Sequence, residues 1–415
     1  MSNVDKKTNE GETPVKLCNF VDVYRNWAIT KDLIPTLMSA TAKPQEIEKF
    51  TLSKGQVALT KDSETRDDIG IATYIADNMD NVLLGYHCAV LTPNSALVDS
   101  KYLNAYMHSN IVHKYFENNA SGSGQRYTLS YDALLNIPVL LPDLELQKGI
   151  GQIFSNIDRK IALNRQINDN LEAMARQLYD YWFVQFDFPD ENGKPYKSSG
   201  RKMVWNKEIK RAIPFGWKIS PLSELLEVND ARRIPLSNKQ RAERQGFYPY
   251  YGATGIMDYV DNFLFDEDLL LLAEDGSTSD GNGHPIVQYI WGKNWVNNHA
   301  HILKPKSVGQ LYYYYFVLKQ IPVALIETGS IQRKISQQNL LSYKVAVPSE
   351  NLIQAYSNVA NVLQEQRKKN SDEIVSLTKQ RDELLPLLMN GQVTVNYHLS
   401  LAHITPTTLA PLCTP

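Results

Sequence analysis

The sequence predicts an α+β chain built as a tandem repeat, in which each of two mixed α/β globules is followed by one long helix. Two observations carry this prediction. Residues 144–183 and 352–389 both have apolar residues at helical spacing along their length. The same short motifs precede both stretches in the same order, about half of the 415-residue chain apart. A duplication of globule and helix follows from these two observations.

The first long helix is predicted over residues 144–183, which contain no proline and have glycine only near their start. Its apolar positions keep a seven-residue step on both sides of the polar Asn164: Ile150, Ile157, Leu171 and Leu178. At about 1.5 Å per residue this helix would run about 60 Å. A helix of that length in a water-soluble chain needs a second helix to cover its apolar stripe.

The second long helix, predicted over residues 352–389, repeats the pattern around Asn370. Its seven-residue step consists of Tyr356, Leu363, Leu377 and Leu384. A buried asparagine in a helical seam fixes register and orientation at a cost in stability. The alternative is that both asparagines are solvated at the edge of the stripe. Pro386 is expected to end or kink this helix near its last turn.

Three pairs of short motifs extend the repeat upstream of the helices. They are HCAVLTP at 87–93 with HAHILKP at 299–305, GSGQR at 122–126 with GSIQR at 329–333, and IPVLLP at 137–142 with VAVP at 345–348. We call the second pair the GS-x-QR turns. The third pair predicts a short strand that ends in proline before each helix.

The repeat and the turn residues predict seven segments. They are a disordered N-terminus (1–14), a first globule (15–142), the first helix (143–186), a linker (187–217), a second globule (218–348), the second helix (349–391) and a tail (392–415). The linker is rich in proline, glycine and serine, and it is locally basic. Residues 102–116 predict a helix within the first globule, and residues 312–318 begin its counterpart in the second.

The composition excludes several classes of protein. The net charge of −2 argues against a uniformly basic nucleic-acid coat, so any nucleic-acid surface has to be a local patch. Cys18, Cys88 and Cys413 show no metal-ligand spacing, which is typical of a protein of the reducing cytoplasm. No apolar run approaches the about 18 residues of a membrane helix, and the N-terminus lacks the apolar core of a signal peptide.

The sequence contains no recognisable catalytic motif. It lacks the glycine patterns that bind phosphates and dinucleotides, the zinc pattern H-E-x-x-H, and the Asn/Asp-Pro-Pro-aromatic loop of amino-directed DNA methylation. Asp143, Glu145 and Lys148 resemble part of a nuclease signature, but the spacing is wrong and Asp143 is expected to cap the helix. The sequence therefore predicts a binding protein without a catalytic or metal site.

Nucleic-acid binding has support in two places. Arginines and lysines crowd residues 232–244 just before the aromatic run FYPYYG, which suits phosphate contact, although a solvated charged loop has the same composition. Each GS-x-QR turn offers a glutamine and an arginine, and these side chains pair bidentately with adenine and guanine. A structural turn uses the same residues, so the recurrence of the motif is what favours a function.

Several longer blocks closely resemble the specificity subunit of type I restriction-modification systems. The most specific are Leu141-Pro142 with Gln147 at the entry to the first helix, and the block that runs from LNRQ to KMVW at 163–205. Further matches are GYHCAVL at 85–91, WVNNHAHIL at 295–303 and LLPLLMNGQV at 384–393. Together these blocks cover both globules, both helices and the linker. One departure is that the first globule has no counterpart of PFGW at 214–217, which leads into the second.

The resemblance implies two target-recognition domains separated by two long antiparallel spacer helices in a pseudo-twofold repeat. Each domain would read one half of a bipartite target in double-stranded DNA. The helices would set the distance between the two half-targets and dock two modification (adenine methyltransferase) subunits. Restriction/translocase subunits would then join this complex. The chain would hold no cofactor itself, because S-adenosylmethionine, ATP and Mg²⁺ would belong to the partner subunits.

We predict the DNA contacts at the level of loops. In the first domain they are Lys61, Ser63, Thr65, Arg66, Ser123, Gln125 and Arg126. In the second they are Arg232, Arg233, Thr254, Ser277, Ser330, Gln332 and Arg333. Two other classes stay open: a stand-alone methyltransferase or nuclease, against which the missing motifs argue, and a helical scaffold without sequence-specific DNA binding.

Overall fold

The computed structural model describes residues 4, 7–124, 126–329, 333–393 and 395, and it divides into two compact units. Unit 1 comprises Met1–Asn164 together with Glu373–Pro415, and unit 2 comprises Arg165–Asp372. Each unit therefore contains one globule, a part of the helix that follows that globule, and a part of the other long helix.

The described residues of unit 1 begin with ten short strands, five short α-helices and a 3-10 helix at Lys31–Thr36. The strands are β1 (Thr13–Cys18), β2 (Ala28–Ile29), β3 (Met38–Ala42), β4 (Val57–Thr60), β5 (Asp62–Ser63), β6 (Ala72–Ile75), β7 (Val82–Leu84), β8 (Cys88–Leu91), β9 (Ala120–Ser123) and β10 (Arg126–Leu129). The helices are α1 (Phe20–Arg25), α2 (Pro44–Phe50), α3 (Ser100–Met107), α4 (Asn110–Asn119) and α5 (Tyr131–Leu135). The long helix α6 (Leu144–Tyr179) follows and continues into unit 2.

The strands of unit 1 form three small sheets. The central one has the order β2-β6-β4-β8, and β4 runs antiparallel to both of its neighbours. All four residues of β4 are buried, as its apolar run predicts. The other two sheets have the orders β3-β1-β7 and β5-β10-β9. Helices α3 and α4 contribute Tyr102, Tyr106 and Phe116 to the core beside the central sheet.

Unit 2 begins within α6, which ends in a π-helical turn at Asp180–Val184. Its strands are β11 (Met203–Asn206), β12 (Arg211–Pro214), β13 (Lys218–Pro221), β14 (Leu226–Val228), β15 (Gln245–Tyr251), β16 (Ile256–Val260), β17 (Phe265–Asp266), β18 (Leu269–Ala273), β19 (Val287–Ile290), β20 (Lys293–Val296), β21 (Ala300–Pro305), β22 (Glu327–Thr328), β23 (Lys334–Ile335) and β24 (Lys344–Val347). Its helices are α7 (Leu222–Leu225), α8 (Asn238–Glu243), α9 (Leu311–Lys319), α10 (Gln337–Ser342) and the long α11 (Glu350–Met389), which continues into unit 1.

Three strands of the main sheet of unit 2 repeat three of unit 1, while the fourth strand lies at the opposite edge. The order in unit 2 is β14-β21-β18-β19, and the fully buried β18 runs antiparallel to β19 and β21 as β4 does to β6 and β8. A second sheet has the order β16-β15-β20-β17, and three two-stranded pairs, β11-β12, β13-β24 and β22-β23, complete the unit. The mixed α+β fold and the tandem repeat predicted from the sequence are both confirmed.

The two long helices run antiparallel within each unit. In unit 1, Ile150 and Phe154 of α6 share a core with Leu388 and Met389 of α11. In unit 2, contacts step in opposite directions along the two helices: Asn168 meets Asn370, Glu172 meets Arg367, and the Tyr356 hydroxyl donates to the Ala175 carbonyl at 3.0 Å. The predicted cover of one apolar stripe by the other helix is confirmed.

Both predicted seam asparagines are buried. Asn164 is 6% exposed and donates to Glu373 at 2.8 Å in unit 1. Asn370 is 7% exposed and donates to Asn168 at 3.0 Å in unit 2. These bonds satisfy amide groups that would be costly to bury alone, so the seam interpretation is right and the solvated-edge alternative is wrong.

The ends of the helices follow local chemistry. Asp143 accepts from the backbone N–H of Leu146 at 2.9 Å and so caps α6, as predicted. Helix α11 passes through Pro386 and ends within the same turn, at Met389. At the exit of α6, Tyr179 and Phe183 pack into the aromatic core of unit 2 against Tyr313 and Tyr356.

Two predictions need correction. The N-terminal segment expected to be disordered holds a buried Val4, and β1 already begins at Thr13 because it pairs with β3. Within the predicted linker, β11 and β12 form a hairpin. The single helix predicted over 102–116 is two helices, α3 and α4, because Ser109 starts α4 by accepting from the Val112 N–H.

Among the described residues, no helix combines the length and apolarity that crossing a membrane requires.

Glu172 links α6, α9 and α11 in unit 2 and gives this seam a pH dependence. Its carboxylate accepts from Arg367 at 2.6 Å, from the Tyr315 hydroxyl at 2.8 Å and from Lys319 at 3.1 Å. Burial by itself raises the pKa of Glu172, but Arg367, Lys319 and Tyr315 outweigh burial and hold the pKa below its usual value. The stabilisation is therefore complete above the unfolded pKa of about 4.5 and is lost as the pH falls below it.

We expect Glu172→Gln to destabilise the protein by about 2 kcal/mol at pH 7, since it leaves two cations without their carboxylate. The difference in melting temperature from the wild type should narrow as the pH falls below about 4.5 and vanish only below the lowered pKa of Glu172 in the folded protein. Scanning calorimetry from about pH 2.5 to 8 measures both effects. Glu383→Gln, on the exposed side of α11, is the matched control. An unchanged difference across this range would mean that the charge of Glu172 does not stabilise the seam.

Candidate nucleic-acid interface

In unit 1, the first GS-x-QR turn forms the tip of the β9–β10 hairpin. Ser123 pairs with Arg126 in the backbone register of this hairpin. Strand β10 also pairs with β5, which places Tyr127 opposite Ser63 and Thr128 opposite Asp62. Since Lys61 directly precedes β5, the structure brings the predicted residues Lys61, Ser63 and Arg126 together at one edge of the unit.

Asp62 is the hub of this edge, although the sequence analysis did not select it. Its carboxylate accepts from Thr128 Oγ1 at 2.6 Å, from Lys61 Nζ at 3.0 Å and from Arg126 Nη2 at 3.2 Å. The Nδ1 atom of His87 lies 2.5 Å away, and Arg126 also contacts this ring. Burial alone raises the pKa of Asp62, but the bonds from Thr128, His87 and Lys61 outweigh burial and hold the pKa well below its usual range.

The other predicted residues of the first domain lie close by. The Thr65 backbone N–H donates to Ser63 Oγ at 3.3 Å, and the Arg66 guanidinium lies 5.1 Å from the ring centre of Tyr127, which is next to Arg126. Gln125 and the side chain of Ser123 fall outside the described part of the chain. The loop 61–66 and the turn at 122–126 thus form one surface.

In unit 2, the second GS-x-QR turn lies between β22 and β23, whose paired ends are Thr328 and Lys334. Arg333 is largely exposed and lies 3.5 Å from Glu327. Ser330 and Gln332 fall outside the described residues. Lys334 forms an antiparallel backbone β-bridge with Asp275, which lies in the loop after β18. The second hairpin is therefore attached to this loop, just as the β9–β10 hairpin is attached to the segment after β4.

Ser277 lies beside this second surface, whereas Thr254 lies on a separate loop. Ser277 is exposed, and the adjacent Thr278 donates from Oγ1 to Glu327, the carboxylate that also pairs with Arg333. Thr254 is exposed on the β15–β16 loop, whose carbonyls at Gly252 and Ala253 each accept from Gln288 at 3.0 Å.

The neighbouring Arg232 and Arg233 point to opposite ends of β18. Arg232 is half exposed, donates to Glu267 before the strand at 2.8 Å, and lies over the Phe265 ring. Arg233 is mostly buried, and it donates to Glu274 after the strand at 2.7 Å and to the Ala300 carbonyl at 2.8 Å. Both were predicted as DNA contacts, and no observation tests that prediction. The geometry gives Arg233 an internal structural role.

Asp230, Glu274 and His301 lie close enough to one another to be considered as metal ligands, since their donor atoms lie within 4.8 Å of one another. Protein cations already occupy this cluster, because Arg233 and Lys334 both pair with Glu274. His301 contacts Asp230 at 2.6 Å and the Ile335 carbonyl at 2.8 Å. Because both partners are acceptors, both ring nitrogens carry protons and the ring is an imidazolium.

The pKa directions agree with this arrangement. Burial alone lowers the pKa of His301, but the bonds to Asp230 and to the Ile335 carbonyl outweigh burial and raise it. Burial alone raises the pKa of Glu274, but the bonds from Lys334 and Arg233 outweigh burial and lower it. The cluster is therefore a salt-linked network that ties the β22–β23 hairpin to the main sheet.

The basic segment before the aromatic run is ordered by internal contacts. Arg241 donates to Asp258 at 3.0 Å and stacks over Tyr250. Arg244 donates to Asp261 at 3.0 Å and stacks over Trp295. These arginines therefore hold the β15–β16 sheet, and the phosphate contact suggested by their composition stays a prediction.

One polar contact recurs in both units at matching positions, and sequence reasoning missed it. In unit 2, His299 Nδ1 lies 2.6 Å from Asp275 as His87 Nδ1 lies 2.5 Å from Asp62 in unit 1. The available signal was the histidine that starts both copies of the repeated motif, at positions 87 and 299. The acidic partners were not visible as such, because they lie 25 and 24 residues away in sequence.

Comparison with known proteins agrees with this architecture. The family model of the type I restriction modification DNA specificity domain matches residues 11–173 and 214–356, which are the first globule with most of α6 and the second globule with the start of α11. The HindI specificity subunit of Haemophilus influenzae is 22% identical over 416 residues, covering 83% of this chain and 88% of that protein. The MjaIX specificity subunit of Methanocaldococcus jannaschii is 23% identical over 363 residues, covering 82% and 78%.

A solved structure shows the same fold. The crystal structure of the type I restriction-modification S subunit from M. genitalium matches with a TM-score of 0.50 at 17% identity, covering 92% of this chain and 91% of that one. Two tandem specificity domains define a type I restriction-modification specificity protein. The chain belongs to this family, which confirms the resemblance found in the sequence and favours it over the helical-scaffold alternative.

The contrast between the two adjacent arginines is directly testable. We expect Arg233→Ala to destabilise the protein by about 3 kcal/mol, because it leaves Glu274 and Asp230 buried with less cationic compensation. Arg232→Ala should cost less than about 1 kcal/mol, since its ion pair is half exposed. Chemical denaturation of both variants measures the difference. Equal losses would contradict the internal role of Arg233.

Proposed function

We propose that this chain is the DNA-reading subunit of a type I restriction-modification complex, in which unit 1 reads one half of a bipartite target and unit 2 reads the other. The observation that carries the proposal is the repeated edge: in both units a GS-x-QR hairpin attaches to the loop that follows the central strand. Exposed arginines and small polar side chains collect there, and such groups contact phosphates and base edges.

The helices α6 and α11 supply the remaining surfaces of the proposed assembly. Outward-facing apolar side chains occur along them, among them Leu163, Met174, Val362 and Val375. We propose that these helices set the distance between the half-targets and dock two modification subunits, which methylate adenine, and that restriction/translocase subunits join this complex. The repeat supports two equivalent docking places, because the chain presents the same architecture twice.

We further propose that the chain has no catalytic activity of its own and acts in the cytoplasm. The carboxylates Asp62 and Glu274 at the two edges are paired with cations of the chain, and the sequence carries no motif for methyl transfer or phosphodiester hydrolysis. The S-adenosylmethionine, ATP and Mg²⁺ that the complex needs would accordingly bind to the partner subunits. An activity assay on the purified chain alone tests this assignment.

The proposal is tested by methylome sequencing of cells that express the chain with its cognate modification subunit, against cells that lack the chain. We expect methyladenine in both halves of one split motif, and only when the chain is present. Methylation that does not depend on the chain, or none with all partners expressed and folded, would refute the proposal.

The GS-x-QR arginines provide the residue-level test. If Arg333 reads a guanine, Arg333→Ala should weaken binding by about 1–3 kcal/mol and relax one base position of the motif. Arg126→Ala should do the same in the other half. Binding assays with single-base variants of the target measure both effects. Should melting temperature and affinity fall together with an unchanged motif, these arginines would only hold their turns.

A further inference from the structure

The contact shared by the two units is a carboxylate bound to an imidazole, and we call Asp62–His87 and Asp275–His299 the Asp–His pairs. Both are placed by the same backbone frame. Asp62 and Asp275 each follow the central strand by the same interval, after β4 and β18. His87 and His299 each directly precede the antiparallel neighbour of that strand, β8 and β21.

Backbone hydrogen bonds confirm the equivalence. In unit 1 the Lys61 N–H donates to the His87 carbonyl at 2.9 Å, and in unit 2 the Glu274 N–H donates to the His299 carbonyl at 2.8 Å. The residue before each aspartate is thus bonded to the histidine on the neighbouring strand. The pairs therefore match in sequence, in sheet register and in side-chain contact.

A side chain that only holds a loop in place can be fully buried, but both histidine rings of the Asp–His pairs reach the surface. The side chain of His299 is 47% exposed and that of His87 is 26% exposed. Within the described part of the chain, Nδ1 of His299 contacts Asp275 and no protein group bonds to Nε2. In unit 1, Arg126 Nη2 lies 3.3 Å from Nε2 of His87.

The surroundings of the pairs differ, although the pairs themselves do not. Two residues separate the paired ends of the hairpin in unit 1, and five separate them in unit 2. Lys61 stands beside the aspartate in unit 1, and Glu274 stands there in unit 2. Two domains that read different half-targets need different loops, but both meet the same sugar–phosphate backbone.

We propose that His87 and His299 are phosphate-contacting residues, one in each recognition domain, and that Asp62 and Asp275 position their rings. The inference rests on the proposed function and deepens it. A ring that contacts both its aspartate and a phosphate oxygen donates from both nitrogens. Nε2 of His299 is open to such a contact, whereas at His87 the phosphate would be shared with Arg126, whose Nη2 lies 3.3 Å from Nε2.

The backbone at His87 gives independent support. Its φ is +73°, a left-handed conformation that costs a residue other than glycine some free energy. Glycine would adopt this conformation more readily, and residues held in such conformations are concentrated at functional sites.

The experiment uses the complete complex of the chain with its modification subunits and two duplexes of equal length. One duplex carries the split motif found by methylome sequencing, and the other carries a scrambled sequence. Affinity is measured by fluorescence anisotropy over a range of salt concentrations for His87→Gln and His299→Gln. His113→Gln in unit 1 and His284→Gln in unit 2 are matched controls outside the pairs.

We expect each pair variant to weaken binding to both duplexes by the same several-fold factor. Each should also reduce the slope of log affinity against log salt by about 0.9, the value for one phosphate. The controls should leave the slope unchanged. Asp275→Asn should act in the same direction as His299→Gln, because the ring loses the carboxylate that orients it.

Two results would overturn the inference. A loss confined to the motif duplex would make the histidine a base reader. A lower melting temperature with an unchanged slope of log affinity against log salt would mean that the histidine only stabilises the fold. If the wild-type complex directs no motif methylation, the proposed function fails, whereas motif methylation with unaltered slopes in the histidine variants removes only the inference.

Discussion

The apolar stripe of the two long helices is the constraint on which both units depend. A stripe of this length is covered in each unit by a part of the other helix, which lies about 200 positions away in the chain. The cover extends into the globules. Leu388 and Met389, from the last turn of α11, belong to the core of unit 1, and Tyr179 and Phe183, from the exit of α6, belong to the core of unit 2. Neither globule completes its core from the chain segment around it.

A second constraint is the burial of carboxylates, which links the folded core to the proposed DNA surface. Asp62, Glu172 and Glu274 each accept from several donors on different elements. Such carboxylates are costly to bury unless their partners are in place, so each one fixes the relative positions of the strands or helices that supply those partners. Near the edges, the same bonds orient the hairpins and loops that carry exposed arginines. The geometry of the surface thus depends on charges beneath it.

The sequence predicted loops that the structure brings together, but it did not show which of their residues are buried. Lys61, Ser63 and Arg126 do meet in one place, because β5 pairs with β10, a pairing that the sequence did not display. Arg232 and Arg233 look alike in sequence, yet one lies half exposed beside Glu267 and the other is buried against Glu274. The difference is decided by partners 35 and 41 residues away, which no local pattern identifies.

The sequence by itself determined the duplication, the two long helices, their buried asparagines and the family. These properties follow from hydrophobic periodicity and from recurring motifs, each of which is visible within a short stretch of the chain. Only the tertiary structure decided that each globule takes the end of the other long helix, and that an aspartate meets a histidine at matching positions of both sheets. These contacts form only when distant segments pack and their polar groups lose water together. The free energy of that desolvation depends on the folded structure and cannot be read from any single stretch of sequence.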